Sequence, residues 1–315
     1  MARVLLHQRA MRVTHFLSVV TVASTLGLTL PAEAAHPIQL WSRAPGVYGT
    51  KGQDPAKVDV QTVDLDRLPQ KTEQRDDVQY GSSAYYRGVA LGDILARYVA
   101  PPSTDLALLH FHNGVIIPLP FRDMKTMNRV AALIALSRST KAEGPFNPAL
   151  PPVNKSVEGF ADVRQVAFEG NKIVVRDGWH PELSEAALAN FTPWRLTGSL
   201  TGIEFVDGTA YYRQFVPTAE VRPGFEVFRH NCQFCHGVQK VGASFGWDYA
   251  MPLPLHTYRS TEQKLYMHIA YRVEYKATWQ QMPALKHVSQ AEAGLLWQWM
   301  RAVASAPMTR YTPTH

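Results

Sequence analysis

Two cysteines and a histidine lie close together in the last third of the chain. Cys232, Cys235 and His236 form the pattern Cys-x-x-Cys-His, and they include both of the cysteines in the 315 residues. Two thiols with this spacing at the end of a helix can both reach the vinyl groups along one porphyrin edge, which places the adjacent imidazole beneath the iron. The pattern therefore predicts one covalently attached haem c, with His236 as an axial ligand of its iron.

Three other uses of a Cys-x-x-Cys pair fit these residues less well. A thioredoxin-like pair follows a strand in a βαβ unit and needs no histidine directly after it. A structural zinc site needs two further ligands in a second cluster, and the chain has no third cysteine. A simple disulfide is compatible with the composition but gives His236 no role.

The residues before the motif have helical spacing. Gly224 and Phe228 precede Cys232 at intervals of one helical turn, and Pro223 suits the first turn of a helix. Here the chain resembles the class I cytochrome c family. In that family the helix before the haem crosses the last helix at a small residue, with an aromatic side chain packed at the crossing. The resemblance assigns these two roles to Gly224 and Phe228.

The same resemblance implies a methionine as the second axial ligand of the iron, supplied by a late loop before the last helix. Met282 fits that place because it precedes Pro283, and the residues from Ser289 to Glu292 predict a capping box. A thioether opposite an imidazole favours ferrous iron and leaves no position for a substrate. One face of the following helix is expected to carry Leu295, Leu296, Trp299 and Val303.

Other residues also offer sulfur or imidazole to an iron. Met251-Pro252 is a second Met-Pro pair, but it follows His236 closely, where the family places the loop behind the proximal histidine. In that reading a carbonyl near Pro252 or Pro254 is a candidate acceptor of the His236 Nδ1 proton. The family's Gly-Pro-Leu-type segment is missing, so the acceptor stays open. Surface positions are predicted for His256, His268 and His287, and a helix-core position for Met267.

The first 34 residues predict a cleavable signal peptide. Arg3, Arg9 and Arg12 precede an apolar run from Phe16 to Leu30, and Ala32-Glu33-Ala34 is typical of a cleavage site. An uncleaved anchor is the alternative, but the run is short for a span and contains several serines and threonines. We therefore predict export to the periplasm, with no membrane span after cleavage.

Charge and composition limit the partners. The whole chain has a formal net charge of +6, and the signal region contributes +2 of it through three Arg and one Glu. The mature protein therefore has a net charge of +4 before any haem propionates are counted. This excess is too small to indicate nucleic-acid binding, but it suits docking to an acidic redox protein. Lys240 and Lys286 are candidates for that contact.

A fold of two domains is expected. Residues 36–216 predict a mixed α+β, strand-rich domain, and residues 217–315 predict an all-α class I cytochrome c domain. Asn113-Gly114 between two apolar runs predicts a β-hairpin, and a helix is expected from Leu91 to Val99. Further strands are predicted over residues 163–168, 172–175 and 200–205.

The first domain resembles the molybdopterin-binding fold of the sulfite oxidase family over about residues 36–212. The matching pieces are residues 86–95, the hairpin, a helix-like stretch over residues 131–137 and Trp194-Arg195-Leu196. Enzymes of that family bind molybdenum through a cysteine thiolate, and both cysteines here are assigned to haem. The resemblance therefore implies an adaptor domain without molybdenum.

Two polar pairs in this domain consist of residue types that can bind a metal. His110 and His112 would share one face of a strand, as metal ligands can, but no Asp or Glu lies nearby in the sequence. A pair on the surface of the hairpin is the expectation. Asp76 and Asp77 are expected in a solvated turn.

The function predicted from these residues is single-electron transfer. The first domain would dock the cytochrome domain to a periplasmic redox protein or dehydrogenase. The alternative is an enzyme in which the first domain binds a substrate or another cofactor and passes electrons to the haem. A haem-based sensor with an open sixth position is a third hypothesis. The sequence leaves the partner, the reduction potential and the oligomeric state open.

Overall fold

A computed structural model describes residues 36–47, 55–77, 82–122, 133–145, 172–174, 200–271, 282, 284–307 and 310–313. The chain divides between Glu33 and Ala34 into two units, and the first unit lies outside the described residues. The signal peptide therefore stays a prediction. Among the described residues, no helix is both long enough and apolar enough to cross a membrane.

Strands dominate the first part of the described chain and helices the last part. The strands are β1 Pro37–Arg43, β2 Gly46–Val47, β3 Lys57–Asp64, β4 Gln70–Asp77, β5 Ser82–Ala90, β6 Leu106–Phe111, β7 Ile116–Pro120, β8 Leu133–Ser139, β9 Lys172–Val174, β10 Leu200–Val206, β11 Gly237–Val238, β12 Val241–Gly242 and β13 Arg310–Tyr311. The helices are α1 Leu91–Leu95, α2 Gly208–Arg213, α3 Arg222–Asn231, α4 Leu255–Tyr258, α5 Glu262–Ala270 and α6 Gln290–Ser305, with short 3₁₀ turns at Leu65–Arg67 and Ala219–Val221.

The strand-rich part contains a five-stranded sheet in the order β3-β1-β10-β6-β7 and a four-stranded sheet in the order β4-β5-β8-β9. In the first sheet β1 and β10 are parallel, and the other neighbours are antiparallel. Strand β6 is apolar on both faces because both faces are buried. Ala107 and Leu109 point into the core of the strand-rich part, while Leu106 and Leu108 face the helical part.

Most of the elements predicted for this part are confirmed where the structure describes them. The hairpin is β6–β7, and the strands at residues 172–174 and 200–206 are present. The predicted helix ends early, at Leu95, and Val99 is 95% exposed. Asp76 and Asp77 lie in β4, so the predicted turn is wrong: the strand continues because it pairs with β5. Residues 133–137 of the helix-like stretch lie in β8, so the predicted helix is wrong: the segment pairs with β5 as a strand. Residues 163–168, 131–132 and 194–196 lie outside the described residues.

Helices α3 and α6 cross at Gly224, as the resemblance to class I cytochromes c implied. A Cβ at this glycine would lie 2.1 Å from the carbonyl oxygen of Leu295, so only glycine allows the two backbones to approach this closely. The Phe228 ring packs at the crossing, 4.7 Å from the Trp299 ring. The predicted crossing is therefore confirmed.

The start of α6 agrees with the prediction, but the set of residues predicted to share one face of this helix is only partly right. Ser289 and Glu292 form the capping box, with the Glu292 backbone N–H donating to Ser289 Oγ at 3.2 Å. Leu296, Trp299 and Val303 are buried as expected. Leu295 is 38% exposed, so its predicted place on the same face as the other three residues is wrong: it contributes its backbone, not its side chain, to the helix crossing.

One apolar cluster joins the strand-rich and helical parts. It contains side chains of α3, α5 and α6 together with Leu106, Leu108 and Val206 of the five-stranded sheet. Near the C-terminal end, β13 pairs with β2, and the Tyr311 hydroxyl accepts a hydrogen bond from the Asp207 N–H at 3.1 Å. Residues from Ala34 onward form one compact unit, and the predicted domain boundary at residue 216 stays a prediction. The short strands β11, β12 and β13 also depart from the all-α expectation.

Candidate haem site

The two cysteines and the histidine follow directly on the last turn of α3. The Cys232 N–H donates to Phe228 O at 2.8 Å, and the His236 N–H donates to Cys232 O at 3.0 Å. This continued turn places the thiols and the imidazole close together at the end of one helix. Cys232 is buried, Cys235 is half-buried, and they form no disulfide with each other.

The burial of the two thiols bears on whether they could instead serve in thiol–disulfide exchange or bind zinc. Burial raises the pKa of Cys232 to about 12, although the Tyr249 hydroxyl bonded to this thiol lowers it somewhat. Burial, followed by the neighbouring Cys232, raises the pKa of Cys235 to about 12. Thiol–disulfide exchange requires a thiolate, so neutral buried thiols are poorly suited to thioredoxin-like chemistry. Among the described residues, no three His, Cys, Asp or Glu side chains group together as zinc would require.

The orientation of His236 is set by a backbone carbonyl. Its Nδ1 lies 2.7 Å from Trp247 O, and because a carbonyl only accepts hydrogen bonds, Nδ1 carries the proton. Nε2 is therefore the nitrogen with the lone pair that a metal needs. The candidate acceptor near Pro252 or Pro254 is wrong, since the loop already turns back towards the histidine at residue 246.

Gly246 allows the loop to pass directly over the imidazole. A Cβ at this position would lie 2.5 Å from His236 Cε1, and the Gly246 N–H donates to Cys235 O at 2.6 Å. The Trp247 side chain is 75% exposed, so its carbonyl is the part of the residue that serves the site. The Tyr249 ring also lies against the imidazole, with its centroid 4.9 Å from that of His236.

Asp248 stabilises the turn that follows the motif, a role the sequence did not reveal. Gln239 and Lys240, between β11 and β12, have φ values of 51° and 66°, which are costly for side chains with a Cβ. Asp248 Oδ1 accepts from the N–H of Gln239 at 3.0 Å, and Oδ2 accepts from the N–H of Lys240 at 2.6 Å. Its Oδ1 also accepts from the N–H groups of Ala250 and Met251, which offsets the strain and holds the loop against the histidine.

Met282, the predicted second axial ligand, borders the apolar cluster that contains Cys232. It is half-buried and packs against the same apolar cluster as Cys235. Pro283 lies outside the described residues. The structure does not test the role of Met282 as a ligand, which stays a prediction.

The rival ligands occupy less suitable places. His287 Nε2 lies 2.7 Å from Asn231 Oδ1 and therefore donates to it, and His268 Nδ1 lies 3.1 Å from the Arg259 guanidinium. Met251 is 41% exposed, while His256 is half-buried on α4. Met267 is 47% exposed, so its predicted core position is wrong; Leu265 and Ile269 provide the buried face of α5 instead.

The residues of this site fit a haem. Two thiols at the required spacing, an imidazole held in one tautomer and a thioether all border one cluster rich in aromatic and aliphatic side chains. Apolar surroundings of this kind favour the ferrous state of a haem iron.

A second buried polar cluster lies on the five-stranded sheet. Glu204 of β10 is 2% exposed; its carboxylate accepts from Arg43 Nε at 3.0 Å and pairs with His110 Nε2 at 3.0 Å. Burial raises the pKa of Glu204, but the hydrogen bonds and charges of His110 and Arg43 outweigh it and lower the pKa to about 2. His110 lies on β6 and His112 in the turn, so the expected surface pair is wrong: Glu204 binds His110 from the neighbouring strand.

The comparisons with known proteins address the helical part of the chain. Residues 219–300 match the family model of cytochrome c oxidase, cbb3-type, subunit III. The matched segment contains the Cys-x-x-Cys-His motif and Met282, and it supports a cytochrome c domain with a haem-based electron-transfer role. It covers about a quarter of the chain and none of residues 36–216. No curated protein is similar enough to count as a relative.

Proposed function

We propose that this chain is an exported cytochrome c that carries single electrons through one haem. The haem is attached covalently to Cys232 and Cys235, and its iron is ligated by His236 and Met282. The observation that carries the proposal is the Cys-x-x-Cys-His motif at the end of α3, with His236 Nδ1 donating to Trp247 O at 2.7 Å. The match of residues 219–300 supports it.

Each residue has a separate part in this function. When bound, the haem supplies an iron that alternates between the ferric and ferrous states. The two cysteines would hold the haem covalently at the end of α3. His236 presents Nε2, and its hydrogen bond to the Trp247 carbonyl raises the basicity of the imidazole. Met282 would supply a thioether ligand to the iron, and ligation by both side chains would favour electron transfer over oxygen chemistry.

We further propose that the strand-rich part docks the cytochrome to a periplasmic redox protein or dehydrogenase. Within the cytochrome domain itself, Lys240 and Lys286 are both exposed and are candidates for a contact with an acidic partner. The resemblance of this part to a molybdopterin-binding domain without molybdenum stays a proposal because the matched segment begins at residue 219.

Stopped-flow reduction and reoxidation of the matured protein tests the proposed function. An electron carrier should be reduced by a small one-electron donor and reoxidised by a one-electron acceptor, without binding carbon monoxide at neutral pH. A haem that binds carbon monoxide readily in the reduced state would instead support a sensor or an enzyme with an open coordination position.

Replacing Met282 with alanine tests the sixth ligand. We expect Met282→Ala to retain covalently attached haem, to have a lower reduction potential, and to lose completely the absorption band that arises from sulfur bound to ferric iron. Potentiometric titration and the optical spectrum measure these changes. Met267→Ala is the matched control, since this exposed methionine should leave both unchanged. An unaltered spectrum in Met282→Ala would exclude Met282 as a ligand.

A further inference from the structure

The β6–β7 hairpin of the strand-rich part makes two backbone hydrogen bonds to the candidate haem site. The Ile116 N–H donates to Phe234 O at 3.1 Å, and the Ser244 N–H donates to Gly114 O at 2.8 Å. Phe234 lies between the two cysteines of the motif, and Ser244 begins the segment that returns to His236. The hairpin therefore holds the chain on both sides of the histidine.

The fit between the hairpin turn and this segment leaves no space for a larger residue. Gly114 has a φ of 85°, in the region that favours glycine. A Cβ at Gly114 would lie 2.5 Å from Ser244 Oγ and 3.0 Å from the Phe245 backbone nitrogen. Asn113 supports the same turn, because its Oδ1 accepts from the Val115 N–H at 3.2 Å.

Phe245 continues the contact with a side chain. It is half-buried and packs against the apolar core of the strand-rich part, the cluster that contains Leu109 and Ile117. The next two residues are Gly246, which lies over the His236 ring, and Trp247, whose carbonyl accepts the Nδ1 proton. Phe245, Gly246 and Trp247 thus connect the core of the strand-rich part to the histidine through three consecutive residues.

We propose that the β6–β7 hairpin positions the proximal ligand: by holding Ser244 and Phe245, it fixes the hydrogen bond between Trp247 O and His236 Nδ1 and so tunes the potential of the iron. The inference rests on the proposed function and extends it, because it makes the strand-rich part a component of the haem site as well as a docking module. Gly114 and Phe245 are positioning residues that act through Trp247 and His236.

The direct test is to measure the reduction potential of the haem in the matured wild-type and variant proteins. A well-formed hydrogen bond from Nδ1 makes the imidazole a stronger electron donor, which favours ferric iron. Loosening the loop should weaken this bond and raise the potential. We therefore expect Gly114→Ala and Phe245→Ala to shift the potential upward and to alter the electron paramagnetic resonance spectrum of the ferric protein, while covalent haem content stays the same.

Gly92→Ala is the matched control. Gly92 lies in the same part of the chain, on α1, and a Cβ there would meet no atom within 4 Å. The reduction potential and the electron paramagnetic resonance spectrum of the Gly92→Ala variant should equal those of the wild type. Haem-loaded Gly114→Ala and Phe245→Ala proteins with wild-type potentials and spectra would overturn the proposal. A wild-type protein that holds no haem would instead refute the proposed function, so the two failures are distinguishable.

Discussion

Replacing Cys232 and Cys235 together with serine should abolish covalent haem attachment. The chain has no other cysteine, so no second thiol can form a thioether. Haem should then be removed from the double variant by acidified organic solvent, whereas the wild type should keep all of it through the same extraction. Each single variant should retain one thioether and mature in lower yield.

Tyr249→Phe is the control for this experiment. Its hydroxyl bonds to the Cys232 thiol, and its ring lies against His236. Removing only the hydroxyl leaves both thiols and the ring in place, so attachment should persist. Covalent haem in the serine double variant would contradict the assignment of the two thiols.

The second large effect is expected at the crossing of α3 and α6. Trp299 is fully buried, its ring packs against Phe228, and its Nε1 donates to Phe215 O at 2.6 Å. We expect Trp299→Ala to lower the free energy of unfolding by about 3–5 kcal/mol, because a cavity forms where the indole was. The Phe215 carbonyl would also lose its donor. Urea unfolding of the matured protein, followed by circular dichroism, measures the change.

Trp297→Ala is the matched control on the same helix. Trp297 is only half-buried, although its Nε1 also donates to a carbonyl, that of Arg259 at 2.8 Å. The two variants lose the same indole and the same type of hydrogen bond, so their difference reports burial. Equal destabilisation by both would contradict the central place of Trp299 in the core.

The elements that could be predicted have local signals. The capping box at Ser289 and the hairpin turn at Asn113-Gly114 each depend on a few adjacent residues, and both are present. The crossing at Gly224 and Phe228 was identified through a family resemblance, which carries information about distant contacts that periodicity lacks. The prediction that Leu295 shares one face of α6 with the buried residues is wrong, because adjacent apolar residues leave the buried face of a helix ambiguous.

The supporting parts of the site could not be predicted because they depend on backbone groups and long sequence separations. The acceptor for His236 is a carbonyl, and every residue type has one, so the identity of Trp247 gave no signal. Glu204 pairs with His110 over 94 residues. A single acid within the apolar run of β10 was the available clue. The hairpin's contact with the loop after the motif likewise joins two distant segments through main-chain atoms.

The most direct test of the account is the intact mass of the matured protein, measured together with its pyridine haemochrome spectrum. The protein should be expressed with a haem-attachment system and denatured before the mass is taken. The account predicts the mass of the polypeptide plus one haem, and a haemochrome typical of two thioether bonds. A colourless protein with the mass of the bare polypeptide would contradict it.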